Sequence, residues 1–219
     1  MYRRKSVESW ELSDDIWNSD LVKEYEGRGH NDSFNPRRLV DSDGQPLGDA
    51  GVLIEIREER PGDVAAIRDV NKRAFGQDQE GNIVDALRSN AAGVLSLVAT
   101  LNGQVVGHIM YSPLTVGGEV TGAALGPMAV VPERQGQGIG SRLVDAGNRK
   151  IKDAGWPFII VLGHADFYPR FGFMPASAHG IKCQWEVPDD VFMLLVLDEA
   201  KMQGVSGLAK YRDEFSTVS

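Results

Sequence analysis

A glycine-rich segment in the second half of the chain constrains its fold most strongly. Residues 130–142 read VVPERQGQGIGSR, so an apolar run ends at a proline and glycines at 136, 138 and 140 open a helical pattern. Glycine permits a tight turn and a close approach of the backbone to a ligand, because it has no Cβ. The first amides of a helix lack intrahelical partners and carry partial positive charge. The segment therefore predicts a strand–turn–helix unit that binds an anion, most often a phosphate.

Composition is typical of a globular protein and argues against two classes of partner. The chain has 219 residues, 42% hydrophobic and 25% charged, with a formal net charge of -8, whereas a general nucleic-acid binder carries a basic excess. No apolar run approaches the roughly 20 residues of a membrane helix, and the basic first residues are not followed by the apolar stretch of a secretory signal. The one cysteine, Cys183, allows no internal disulfide. We therefore expect a cytoplasmic protein that binds neither nucleic acid nor a membrane.

The composition changes near residue 51. Residues 1–51 are polar, and the stretch 28–51 lacks apolar periodicity, which is typical of a linker or a disordered segment. Before it, four large side chains are spaced to line one side of a helix: Trp10, Trp17, Leu21 and Tyr25. This helix would be a docking arm on the domain or on a second subunit, or else a loosely held extension. We expect the domain itself over residues 52–200, followed by a C-terminal tail over 201–219.

Hydrophobic periodicity predicts an α/β domain from residue 52 onward. The predicted strands cover residues 52–57, 95–100, 105–112, 123–131, 158–162 and 191–197. The predicted helices cover residues 61–75, a shorter stretch around 83–87, and 138–154, with a short helical turn at 165–170. Turns are predicted at Asn102-Gly103 and at Gly117-Gly118, because these residue types tolerate positive φ. The order β-α-α-β-β-β-α-β-α-β indicates one domain with a mixed sheet.

Two common phosphate motifs do not fit the glycine segment. A dinucleotide fingerprint that starts at Gly136 needs glycine or alanine where the chain has Ser141, and the following strand ends in Gly163-His164 without an acidic residue for a ribose. A P-loop ends in Gly-Lys-Ser or Gly-Lys-Thr, where this chain has Gly140-Ser141-Arg142. The sequence thus argues against both a dinucleotide-binding protein and a nucleotide triphosphatase.

A third pattern does fit. The segment Gln135-Gly136-Gln137-Gly138-Ile139-Gly140 matches Gln/Arg-x-x-Gly-x-Gly/Ala and resembles the acyl-CoA pyrophosphate motif of the GNAT superfamily of N-acetyltransferases. The flanking Met128-Ala129-Val130 and Arg142-Leu143 agree with it, and residues 167–173, FYPRFGF, are similar to the segment that follows the family's fifth strand. The resemblance covers about residues 52–200. It implies a central, mostly antiparallel mixed sheet with two splayed parallel strands, flanked by helices, and acetyl-CoA as the co-substrate.

The resemblance also indicates where the cofactor would lie. Gly126-Pro127 interrupts the strand 123–131, because proline cannot donate a ladder hydrogen bond and glycine weakens pairing, so a bulge or an end of regular pairing is expected there. In the family, the pantetheine arm of CoA lies where two such strands part. The implied cofactor-binding residues are Met128, Ala129, Val130, Gln135, Gly136, Gln137, Gly138, Ile139, Gly140 and Ser141. Arg134 and Arg142 lie near enough to assist the phosphates, whereas Arg149, Lys150 and Lys152 are more typical of a solvated helix face.

Acetyl transfer to an amine needs a base, an oxyanion donor and an acid for the leaving thiolate. By resemblance, Tyr168 lies near the CoA sulfur and is the candidate acid, with packing on the pantetheine as the alternative. The base stays open between Glu80, which precedes the second helix, and His164, which follows the central strand where the relatives more often have an acidic residue. His108 lies within a strand and is expected to be structural.

The remaining reactive residues indicate no other chemistry. The four histidines are scattered and give no metal-ligand spacing, and Cys183 has no evident activating partner. We therefore expect direct attack of a primary amine on acetyl-CoA in a ternary complex. Three points are left open: a small-molecule or protein acceptor, a larger acyl-CoA as donor, and a homodimer. A non-catalytic acyl-CoA sensor is the rival class of function.

Overall fold

The computed structural model describes residues 2–6, 9–12, 54–90 and 95–216. The first two stretches pair as an antiparallel hairpin of β1 (Tyr2–Ser6) and β2 (Ser9–Leu12). Trp10 therefore lies in a strand, and its predicted place in a helix is wrong. Trp17, Leu21, Tyr25 and the predicted boundary at residue 51 lie outside the described residues.

A mixed sheet organises the rest of the described chain. Its strands are β3 (Ile54–Glu58), β4 (Leu95–Leu101), β5 (Gln104–Val116), β6 (Val120–Val130), β7 (Phe158–Leu162), β8 (Met174–Pro175), β9 (Ile181–Cys183), β10 (Phe192–Val196) and β11 (Gly207–Lys210). Their order is β3-β4-β5-β6-β7-β10-β8, and β11 pairs with both β5 and β9. The pairs β6–β7 and β9–β11 are parallel, and the other pairs are antiparallel. This confirms the predicted mixed, mostly antiparallel sheet.

Three strands of the C-terminal region are not predicted from the sequence, namely β8, β9 and β11. β8 and β9 are two and three residues long, too short to carry a period-2 pattern. β11 lies within the segment 201–219 that was expected to be a tail, and it adds to the sheet by pairing with the end of β5.

The three predicted helices are found close to their expected positions, as α1 (Val64–Phe75), α2 (Gln79–Ser89) and α3 (Ile139–Asp153). The short α4 (Glu199–Met202) is not predicted from the sequence. A 3-10 turn at Pro61–Asp63 leads into α1, and Gly76 ends it at φ 70°. The predicted turn at 165–170 is a 3-10 turn at Tyr168–Phe171.

The helices pack on opposite faces of the sheet. On β5, Tyr111 contacts α3, where a Cβ at Gly147 would overlap its ring, and its hydroxyl donates to Asn148 (3.0 Å). The neighbouring Met110 points to the other face and lies in one apolar cluster with residues of α1 and α2. Successive residues of a strand alternate between faces. Thus α3 covers one side of β5, and α1 and α2 cover the other.

Candidate active site

The site begins where β6 stops pairing with β7. The parallel ladder covers only Ala123 to Leu125 on β6, opposite Ile159 to Val161 on β7. Directly beyond it lies a cis Gly126-Pro127 peptide. On the other side of β6, these two residues stand opposite a single residue of β5, Met110, because the register shifts there. The predicted bulge and end of regular pairing at Gly126-Pro127 are thus confirmed.

The register of β6 against β5 determines where the freed backbone points. The Val131 N–H donates to the Val106 carbonyl (3.0 Å), which makes these two residues a hydrogen-bonded pair. Because bonded and non-bonded pairs alternate along an antiparallel ladder, Ala129 also bonds β5. Met128 and Val130 therefore direct their N–H and C=O groups away from β5, on the side where pairing with β7 has ended.

The glycine turn connects this freed edge to α3. Gly136 and Gly138 adopt φ of 70° and 77°, which only glycine adopts readily. Gly138 is the N-cap of α3, and within the described residues no side chain caps that end. The first intrahelical bond runs from the Arg142 N–H to the Gly138 carbonyl (3.1 Å). The N–H groups of residues 139–141 precede that bond, so they are the first-turn donors that a helix leaves for an anion.

Side chains of the turn hold it against the strand. The Gln135 amide donates to the Val130 carbonyl (3.0 Å), and the Gln137 amide donates to the Glu133 carbonyl (3.2 Å). Gly140 lies close to β6 and to Phe167, the residue before the 3-10 turn Tyr168–Phe171. Atoms of Met128 and Phe167 are 3.6 Å from the position that a Cβ of Gly140 would take. The glutamines thus shape the loop through their side-chain amides.

One of the two nearby arginines serves a structural contact. The Arg142 guanidinium donates to the Ile54 carbonyl at the start of β3 (3.0 Å). The expectation that Arg142 assists a phosphate is therefore not supported, since this bond ties α3 to the sheet. Arg134 lies in the 3-10 turn Pro132–Arg134, immediately before the glycines.

Tyr168 lies beside the end of β7. Its side chain is buried, packs edge-on against Phe167 and Phe173 (ring centroids 5.0 and 5.6 Å), and fills the space that Gly163 leaves by having no Cβ. Burial raises the pKa of the Tyr168 phenol. The hydroxyl is therefore protonated at neutral pH and can act as a hydrogen-bond donor or as an acid.

Glu80 is a buried carboxyl group in the first turn of α2. Its side chain is 2% exposed, one oxygen accepts from the Gln77 amide (3.3 Å), and the other, Oε2, has no partner among the described residues. Burial raises the pKa of Glu80 to about 7. A carboxyl with this pKa can take up and release a proton near neutral pH.

The histidines differ in their surroundings. His164 is exposed in the loop after β7, and desolvation lowers its pKa. His108 is fully buried: Asn71 Nδ2 lies 3.3 Å from its Nδ1, and Ser96 Oγ lies 3.0 Å from its Nε2. Burial and the nearby Arg88 lower the pKa of His108 to about 3. The prediction that His108 is structural is confirmed.

Ser96 and Arg88 extend the His108 contacts to the protein surface. The Ser96 hydroxyl donates to Glu59 Oε2, and Arg88 Nε donates to Glu59 Oε1. If Asn71 donates to Nδ1 of His108, the imidazole proton is on Nε2 and points to Ser96. Sequence patterns do not reveal this chain of contacts, because its members lie on different parts of the fold and show no common spacing.

The described residues hold neither a membrane-spanning helix nor a cluster of metal ligands. None of their helices combines the length and the apolar character that crossing a membrane requires. No three of their His, Cys, Asp and Glu side chains come together as metal ligands.

The unpaired edge of β6 lies beside a glycine turn at the start of a helix. This combination is characteristic of the fold of acyl-CoA-dependent transferases. Residues 92–175 match the family described as acetyltransferase (GNAT) domain. The chain is 34% identical to the N-acetyltransferase YhbS of Escherichia coli K12 over 163 residues, which are 74% of this chain and 98% of YhbS. It belongs to the GNAT family of N-acetyltransferases.

Further relatives agree with this assignment. The N-acetyltransferase YjhQ of Escherichia coli K12 is 39% identical over 134 residues, which cover 58% of this chain and 74% of YjhQ. The crystal structure of Escherichia coli YhbS in complex with CoA matches with a TM-score of 0.74 and covers 78% of this chain and 96% of that one. A GNAT acetyltransferase from Brucella melitensis in complex with acetyl-CoA matches with 38% identity and a TM-score of 0.63, over 74% of this chain and 98% of that one.

Proposed function

We propose that this protein transfers an acetyl group from acetyl-CoA to a primary amine, by direct attack within a ternary complex. The observation that carries the proposal is the edge of β6 beyond Leu125, which is free on the β7 side and ends at the glycine turn. Relatives of similar fold were crystallised with CoA or acetyl-CoA, which supports this choice of acyl donor.

The glycine turn would hold the pyrophosphate. The backbone amides of Ile139, Gly140 and Ser141 supply donors at the positive end of α3. Gly136 and Gly138 supply the positive φ that shapes the loop, and Gln135 and Gln137 fix it through their amide bonds. Arg134 adds positive charge before the turn.

The freed edge would hold the pantetheine arm and the thioester. The N–H and C=O groups of Met128 and the N–H of Val130 point into the space between β6 and β7, and they can bond the pantetheine amides as a neighbouring strand would. The Val130 carbonyl already accepts from the Gln135 amide. An N–H at this edge can also stabilise the oxyanion that forms when the amine attacks the thioester carbon. Ala129 lies between the two, and its own backbone groups bond β5.

Glu80 and Tyr168 would move the protons. Glu80 accepts the amine proton, directly or through a water, because its raised pKa allows ionisation near neutral pH. Tyr168 donates its phenolic proton to the leaving thiolate, and the low-dielectric surroundings that raise the phenol pKa raise that of a nearby thiol as well. His164 stays an alternative base, but its side chain is exposed.

Titration calorimetry with acetyl-CoA tests the cofactor site. Gly138→Val places a β-branched side chain at φ 77° in the proposed anion-binding turn, so acetyl-CoA affinity should fall by at least about tenfold, the loss of one or two charge-assisted hydrogen bonds. Gly118→Val is the matched control, since Gly118 has φ 81° and lies in the β5–β6 turn. Unchanged binding by Gly138→Val, or an equal loss in both variants, would contradict the assignment.

Release of CoA in the presence of amines tests the reaction. We expect release that depends on the amine, with an acetylated amine as product by mass spectrometry. Binding of acetyl-CoA without acetylation of any amine in a broad panel would instead favour an acyl-CoA sensor.

A further inference from the structure

Ser112 places a buried hydroxyl group in the middle of β5. The residue is 1% exposed, and its Oγ has no hydrogen-bond partner among the described residues. Burying a hydroxyl without a partner destabilises a protein, because the group gives up its hydrogen bonds to water and gains none. A buried, unpartnered hydroxyl therefore marks a position where a ligand can supply the missing hydrogen bond.

Ser112 lies close to the point in the sheet where β6 and β7 stop pairing. Ser112 stands opposite Ala124, which itself pairs with Ile160 of β7. Two residues before it on β5 is Met110, which stands opposite the Gly126-Pro127 bulge. Two residues along a strand span about 7 Å. Ser112 thus lies about 7 Å along β5 from the residue opposite the bulge, where β6 and β7 part.

Ser112 points to the face of the sheet that α3 does not cover. It shares its side of β5 with Met110 and Leu114, because residues two apart face the same way, whereas Tyr111 points to α3. Met110 packs in one cluster with Ile83 and Val84, which lie one turn after Glu80 in α2. Two of the buried oxygens without a partner among the described residues, Ser112 Oγ and Glu80 Oε2, therefore lie on the same side of the sheet.

An aromatic group covers this region. Trp185, Tyr211 and Phe215 pack in a row, with ring centroids 5.0 and 5.3 Å apart. Phe215 contacts both the cluster of Met110 and the cluster that contains Ala124 and Ile160. The face of the sheet that Ser112 shares thus carries mainly apolar and aromatic side chains, which suit the carbon skeleton of an organic ligand better than a phosphate or another small anion.

We propose that the Ser112 hydroxyl binds the acceptor amine, which it positions by accepting a hydrogen bond from an N–H of that amine. This inference rests on the proposed acetyl transfer, because it assigns the acceptor side of the same site. The acceptor class that fits is a primary amine on an aliphatic carbon. The Ser112 hydroxyl accepts a hydrogen bond from one N–H, and Glu80 accepts the proton that the amine loses. The apolar side chains on this face contact the carbon chain. The nitrogen lone pair is then left for the thioester carbon.

Ser112→Ala tests the proposal, with Ser96→Ala as the matched control. Ser96 is a hydroxyl on the adjacent strand whose contacts are to protein groups, His108 and Glu59. The probes are n-butylamine, ethanolamine and glycinamide, with CoA release as the readout. For Ser112→Ala we expect the amine KM to rise about fivefold to tenfold, the effect of one lost hydrogen bond, with acetyl-CoA affinity within about twofold of wild type. For Ser96→Ala we expect a lower melting temperature and an unchanged amine KM.

The melting temperature of Ser112→Ala distinguishes the two roles of the hydroxyl. A group reserved for a ligand leaves the free protein as stable as wild type, or more stable, when it is removed. A lower melting temperature together with an unchanged amine KM would overturn the proposal and make Ser112 structural. A wild-type protein that binds acetyl-CoA but acetylates neither these three amines nor any other amine of the broad panel would overturn the proposed function, and this inference with it.

Discussion

The ring of Tyr168 lies directly against Gly163, the residue that follows β7. A Cβ at position 163 would overlap the ring, so this glycine determines where the phenol can lie relative to the end of the strand.

Gly163→Ala should therefore displace Tyr168 and lower kcat. A displacement of about 1 Å at a reacting group can cost roughly 100-fold in rate, and we expect a loss of at least about tenfold with little change in acetyl-CoA affinity. The measurement is steady-state turnover beside calorimetric binding. Gly62→Ala is the control, because nothing lies within 4 Å of the position of its Cβ; equal turnover in Gly163→Ala and Gly62→Ala would argue against the role of the contact.

Tyr168→Phe should remove the acid and retain the packing. General acid catalysis contributes about 100-fold or more, so kcat should fall by about that factor, while the acetyl-CoA affinity stays near that of wild type. If Tyr168 only packs on the pantetheine, the variant would keep its turnover, and that result would remove the residue from the chemistry.

Glu80 predicts the pH dependence of the reaction. Its pKa is raised to about 7, and only the ionised carboxylate can accept a proton. The rate should therefore fall as the pH decreases below about 7, and Glu80→Gln should lose both most of the activity and this limb of the profile. A profile in Glu80→Gln that keeps the same limb would transfer the base role to another group, with His164→Gln as the next variant to measure.

The same residue predicts a stability effect of opposite sign. A carboxyl whose pKa is raised in the folded state favours folding when protonated, and this contribution is lost as the pH rises from 4.5 through about 7. The shift corresponds to roughly 3 kcal/mol. Glu80→Gln should thus be more stable than wild type at pH 8 and about equally stable at pH 4, as measured by urea unfolding. A variant that is less stable at both pH values would show that the carboxylate is satisfied in the folded protein.

His108 predicts the acid limit of stability. Its pKa is lowered to about 3 by burial and by Arg88, so the unfolded state takes up a proton that the folded state does not as the pH falls below about 6.5. Stability should decrease over this range, and His108→Gln should flatten the dependence while it lowers the stability at pH 7 by about 1–3 kcal/mol. Urea unfolding from pH 4 to 8 measures both, and an identical pH dependence in the variant would contradict the assignment.

Local chemistry made much of this fold predictable. Asn102 and Gly103 adopt φ of 49° and 82°, as a two-residue hairpin turn requires. The bulge at Gly126-Pro127 follows from the missing donor of proline. The strand–turn–helix unit follows from the glycines, because few other residues adopt their φ values.

Long-range packing accounts for what the sequence did not reveal. Arg142 has the charge and the position to reach a phosphate, but it bonds the Ile54 carbonyl of a strand 88 residues away. The burial of Glu80 and Ser112 depends on how α2 and β5 face each other, and neither position has a local signature. The short strands β8, β9 and β11 exist because of their partners, and the isolated segments contain too few residues to indicate them.

β6 pairs with β7 over only part of its length, and this has a consequence for aggregation as well. An unpaired strand edge invites another polypeptide to add to it, which is the usual hazard of open sheets. Here the unpaired part of β6 begins inside the sheet, because β7 still pairs with β6 up to Leu125. An incoming chain would therefore meet the point where β6 and β7 part, and not a continuous strand edge. A slender ligand with two amides is a better match to that short opening than a peptide strand with side chains on both faces. The proposed cofactor site can thus stay open to a ligand while the junction with β7 hinders the addition of another strand.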